Sequence, residues 1–180
     1  MEYSYVSAQV IPSADLSSNL SVITLDSYLG QSVTDFCGEY GEVGDAMNHC
    51  AHFVAHVLSL RMAGAALCSN VSGSNYPASQ RGQGFCIRVN EIFNSCPNPA
   101  RVDLKSLPTT KCFIVATTEG NITRQSPIVI GDHPKKHIGI FMEGNVDNYS
   151  NTKDAVVKEP LATSNRRFGG DTVLLRADLP

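Results

Sequence analysis

With 180 residues the chain is long enough for one well-buried core and short for two, so residues 1–180 read as one domain. Hydrophobic residues make up 42% and charged residues 17%, with a formal net charge of −3, and the Lys and Arg side chains are scattered, which excludes a basic nucleic-acid surface. No apolar run approaches the ~20 residues that span a bilayer, and the opening lacks the basic-then-apolar order of a secretory signal. The lack of that signal leaves the cytoplasm and export by a signal-independent route both open.

The opening stretch to about Ser21 is rich in Ser and Asn. Val22 to Leu29 reads as a short helix ending at Gly30. Ser32 or Thr34 caps a second one through Phe36 and Cys37, stopped by Gly38 and Gly41. A third helix is expected from Asn48 to Met62, with Gly64 near its end. Its residues 50, 53, 54, 57 and 58 form one apolar stripe. The segment 69–84, rich in Ser, Gly and Asn, reads as a long loop, followed by a helix from about Arg88 and a turn at Cys96-Pro-Asn-Pro99. Lys111 to Thr117 reads as a buried strand and Ser126 to Ile130 as a short extended piece. His137–Met142 and Val146–Asn151 form a hairpin around Gly144-Asn145, and Thr172–Arg176 is a last strand. Helices first and strands later predict an α+β fold with a mainly antiparallel sheet. Six cysteines occur, at 37, 50, 68, 86, 96 and 112, and none forms a CxxC pair, which weakens zinc-ribbon and thioredoxin-like readings.

Cys50 begins the third helix and His137 begins a strand. A thiol must ionise to attack a carbonyl, and both a helix N-terminus and a nearby imidazole favour the thiolate. Asn48 is the expected N-cap, leaving the N–H groups beside Cys50 to serve an oxyanion. If Gly144-Asn145 is the two-residue turn, Glu143 pairs with Val146 and Phe141 with Asn148. His137 and Asn148 then share a face while Asp147 points the other way, and a one-residue slip would promote Asp147. An amide oxygen at Asn148 can accept the imidazole N–H and fix the tautomer.

Here the residues resemble a family. Asn48-His-Cys-Ala-His-Phe-Val-Ala-His-Val-Leu58 is similar to the nucleophile helix of NlpC/P60-type cysteine peptidases, usually [Asp/Asn]-Cys-[Ser/Ala]-Gly-Phe-Val-x-x-Val-Leu. His137-Ile-Gly-Ile-Phe141 resembles that family's His-Val-Gly-Ile-Tyr strand, and Asn148 falls where the family places its third polar residue. The resemblance covers residues 48–62, 111–117 and 137–151. It implies a papain-like fold with Cys50 as nucleophile, His137 as base and Asn148 as orienting residue. The implied substrate is an amide bond in a bacterial cell-wall (peptidoglycan) peptide. Without a signal, a contact-delivered antibacterial amidase toxin is the attractive setting, with an immunity protein and a secretion machinery as partners. The chain departs from the pattern at His49 and His52, lacks the Gly-Asp-Leu-type opening before Phe113, and has a longer loop from 118 to 136.

Other arrangements carry less. His52 and His56 are four apart on one helical face, as zinc ligands can be, but Phe53 follows His52, so no HExxH base is present and no third ligand is apparent; no metal or cofactor is expected. Lys135-Lys136 and Arg166-Arg167 read as solvated pairs, and Gly169-Gly170 as a turn. Two rival functions remain: a papain-fold acyltransferase or transglutaminase-like enzyme using Cys50, His137 and Asp147 or Asp154, and a catalytically silent binding module with a structural Cys50.

Overall fold

The computed structural model describes residues 20–37, 49–60 and 86–180. Among these residues four helices come first: α1 (Val22–Asp26), α2 (Val33–Phe36), α3 (Cys50–Val57) and α4 (Val89–Ser95). Strands β1 (Ala100–Arg101), β2 (Cys112–Thr118), β3 (Ile122–Gln125), β4 (Ile128–Ile130), β5 (Lys136–Met142), β6 (Asn145–Ser150), β7 (Ala155–Pro160) and β8 (Thr172–Asp178) follow, with a one-turn helix α5 (Leu161–Ser164) after β7. Six strands form one sheet in the order β1-β8-β2-β5-β6-β7, every pair antiparallel, and β3 and β4 make a separate two-stranded ribbon. The fold is α+β.

Burial on both faces explains the composition of the central strands. Phe113 and Val115 on β2, Ile138, Ile140 and Met142 on β5, and Leu175 and Ala177 on β8 pack with the helices. Their alternating neighbours Cys112, Ile114, Ala116, Phe141 and Leu174 pack on the opposite face with Val146 and Leu161. A strand covered on both sides has no polar face, so β2 reads Cys-Phe-Ile-Val-Ala as an unbroken apolar run. It sits between β5 and β8, both of which follow it in the chain.

Helix α3 lies against β5 and β6. It is shorter than the sequence suggests. It ends at Val57, not Met62, because Ser59 adopts a left-handed conformation (φ 51°). The Ser59 N–H then donates to the His56 carbonyl at 3.2 Å and the Leu60 N–H to the Ala55 carbonyl at 2.8 Å, which satisfies the last carbonyls of the helix. The expected stop near Gly64 and the expected cap Asn48 fall outside the described residues; His49 occupies the cap position, and its backbone N–H donates to the Asn151 side-chain oxygen at 3.4 Å. Tyr149 ties the helical layer to the sheet, its hydroxyl accepting the Val33 N–H at 3.1 Å and donating to Asp154 at 2.5 Å.

The hairpin turn is displaced by one residue. Met142 pairs with Asn145, Phe141 with Val146 and Ile140 with Asp147, so the two-residue turn is Glu143-Gly144 rather than Gly144-Asn145. Both turn residues have positive φ, 52° and 85°, as a type I′ turn requires. Moving both arms by one residue keeps the parity, so His137 and Asn148 still lie on one face.

Candidate active site

The β5–β6 ladder ends at Ile140–Asp147, and from there β6 continues along β7 alone, as Asn148 pairs with Val157 and Tyr149 with Val156. The first half of β5 therefore has an open edge towards β6. The Cys50 thiol sits at this opening, where the backbone N–H of Ile138 hydrogen-bonds it. Cys50 is the first residue of α3 and is fully buried. Burial pushes its thiol up to about 11, against the opposing pull of the Ile138, Ala51 and Cys50 N–H groups and the Arg167 charge. The helix N-terminus and these donors thus do not outweigh desolvation, and the resting group is a thiol. The thiolate expected from sequence is not the resting state.

His137, the strand residue just before Ile138, is buried. Its Nε2 lies 2.9 Å from Asn148 Oδ1. Arg167 Nη2 donates to the same oxygen at 3.3 Å, and Asn148 Nδ2 is directed at the Val146 carbonyl. A guanidinium only donates, so the atom it meets is the amide oxygen. His137 must then carry its proton on Nε2, leaving the Nδ1 lone pair to accept one. Burial, helped by the Arg167 charge, pulls the imidazole down to about 3, so it rests neutral. This arrangement can take a proton from a nearby donor and return it, which is general base and acid chemistry.

Arg167 is not a solvated charge: it is only 24% exposed and forms a 2.6 Å ion pair with Glu159. Glu159 also accepts from Ser164 at 3.1 Å, so the arginine that leans on Asn148 is itself fixed from β7 and α5. Nothing in an Arg-Arg dipeptide signals this; it follows from where α5 turns the chain. Asp147 lies on the face away from Asn148, paired across β6–β7 with Lys158. Burial pushes its carboxyl up to about 6. Asp154 is engaged by the Tyr149 hydroxyl.

His52 and His56 lie where the sequence put them, on one side of α3, but the absence of a third ligand does not hold in space. The Cys37 sulfur and the His52 and His56 ring nitrogens all lie within 4.8 Å of one another. Cys86, Cys96 and Cys112 are buried thiols. A shallow cleft beyond the end of β2 and the start of β8 is lined by Thr118, Glu119, His133, Lys135 and Asp171, not by Cys50 or His137.

Compared with protein-family models, curated proteins and solved structures, the chain matches none.

Proposed function

We propose that the chain is a papain-like, NlpC/P60-related thiol amidase or endopeptidase acting on amide bonds of bacterial cell-wall peptides. The observation that carries the reading is the His137 Nε2–Asn148 Oδ1 hydrogen bond on a strand whose next N–H, that of Ile138, meets the Cys50 thiol. A tautomer fixed with Nδ1 open is what a base paired to a thiol needs.

In this reading the Cys50 sulfur attacks the amide carbonyl carbon as its proton passes to His137 Nδ1. The backbone N–H groups at the start of α3 face the oxygen that gains charge. The imidazolium gives its proton to the departing amine nitrogen, the C–N bond breaks and a thioester remains. His137 then takes a proton from water, the hydroxide oxygen attacks the thioester carbon, and the proton returns to sulfur as the acid leaves. Asn148 holds the ring orientation throughout, and Arg167 holds Asn148. The Cys-His-Asp alternative has less support, since Asp147 lies on the other face and Asp154 is engaged by Tyr149. The family resemblance supplies the substrate class.

Incubation with purified peptidoglycan fragments, followed by mass spectrometry, tests the proposal. Cleaved peptides with one added water, absent for Cys50→Ala, are expected. Intact fragments across a range of peptide chemistries would count against it.

A further inference from the structure

Helix α3 has a second working side. Cys50 at its start meets the sheet, whereas His52 and His56, one turn apart, face the neighbourhood of α2. Cys37, the residue that closes α2, meets them there. Cys37 and His52 are buried and His56 is half-buried. The two imidazole centroids are 5.1 Å apart, and the edge of Phe36 packs on both rings, at 6.0 and 5.4 Å, making an apolar wall beside the three donor atoms.

We propose that Cys37, His52 and His56 bind a zinc ion that clamps α2 to α3. Tetrahedral zinc, with Zn–S about 2.3 Å and Zn–N about 2.0–2.1 Å, holds its ligand atoms roughly 3.3–3.7 Å apart. Three donors already within 4.8 Å of one another reach that spacing by side-chain rotations of about an ångström. One thiolate and two neutral imidazoles suit zinc, whereas calcium and magnesium take oxygen ligands. Binding releases one proton to solvent as the Cys37 S–H becomes a Zn–S bond, and water fills the fourth position. The two histidines sit on one short helix and the cysteine comes from another, so the ion joins segments separated in sequence by residues 38–49. It thereby fixes the helix that presents Cys50. None of the three ligands is Cys50, His137 or Asn148, so this proposal stands apart from the hydrolase reading.

The test uses the full chain, reduced, loaded with Zn2+ or Co2+ and desalted. About one equivalent of zinc is expected by elemental analysis, with tetrahedral ligand-field bands and thiolate charge transfer in the cobalt form. Cys37→Ser should abolish the charge-transfer band, and both Cys37→Ser and His56→Ala should weaken zinc binding about a hundredfold or more. Cys50→Ser should retain the metal. Because Cys37→Ser can lose its fold, the wild-type chain supplies a second readout: its melting temperature should rise with Zn2+ and fall with a chelator. Three results would each overturn the proposal: no zinc retained by the wild type, an unchanged melting temperature at saturating Zn2+, or metal lost only in Cys50→Ser and His137→Ala.

Discussion

Two cysteine–histidine groups lean on the same short helix, and they differ in what surrounds the imidazoles. His137 faces a single amide oxygen that dictates its tautomer, and a guanidinium locks that amide in turn. His52 and His56 instead converge with a sulfur on one point. The first environment leaves one lone pair on a ring nitrogen open for a proton; the second gathers three lone pairs suited to a soft cation. The same residue types are therefore arranged to suit proton transfer in one place and metal binding in the other. Second partners decide which, more than the Cys–His pairing itself.

The largest effect should come from removing the thiol of the first group. Cys50→Ala should lower turnover on cell-wall fragments by about 10⁴-fold or more while leaving the circular dichroism spectrum unchanged. A residual rate near wild type would dissolve the contrast and make Cys50 a core residue. Next in size is Gly139→Ala, which reaches the site through the backbone. A Cβ there would lie 2.5 Å from Val146 Cγ1, 2.7 Å from the Asp147 carbonyl and 3.0 Å from Asn148 Cβ. Pushing β6 away should cost about 3 kcal/mol in urea unfolding and pull Asn148 off His137, lowering turnover as well.

Asn148→Ala removes the tautomer lock alone. Turnover should fall about 10- to 100-fold with stability little changed, and Asp147→Ala should do much less to the rate. If Asp147→Ala proved the more damaging to turnover, Asn148 would not be the orienting residue and the Cys-His-Asp alternative would gain. The smallest effect concerns stability. The Asp147 carboxyl is held at about 6 by burial, partly offset by Lys158 and reinforced by Asp26. The folded state thus binds this proton more tightly than the unfolded chain, whose carboxyl titrates near ~3.9. Stability from this group is full below about pH 4, declines as pH rises to about 6 and is level above that. Asp147→Asn should remove that slope and stabilise the protein at pH 7.5 by about 1–2 kcal/mol, read from urea midpoints at several pH values.

Much of this architecture is legible in the chain because it is local. The start of α3, strand β2 and the strands carrying His137 and Asn148 follow from periodicity over a few residues. The shared face of 137 and 148 survives a misplaced turn because only parity matters, although Glu143 at positive φ is not a residue the turn signal favours. What is illegible is long-range. Strand β7 and helix α5 lack a clean alternation, and β7 is only partly buried. Cys37 and His52 meet because Tyr149 and Phe36 pack the helical layer in one arrangement, which no spacing in the sequence encodes. Arg167 is indistinguishable from Arg166 until the fold turns one inward.

The position of β2 in the sheet has a kinetic corollary. Its partners are β5 and β8, contributed by residues 136–142 and 172–178, both later in the chain. During synthesis or refolding, β2 is an uncharged, β-prone segment with two open edges until both partners arrive. Closing those long loops makes folding slow relative to a helical protein of this length. A chain stalled or cut before β8 would expose the most apolar strand of the sheet along one edge, so the C-terminal strand also guards against self-association.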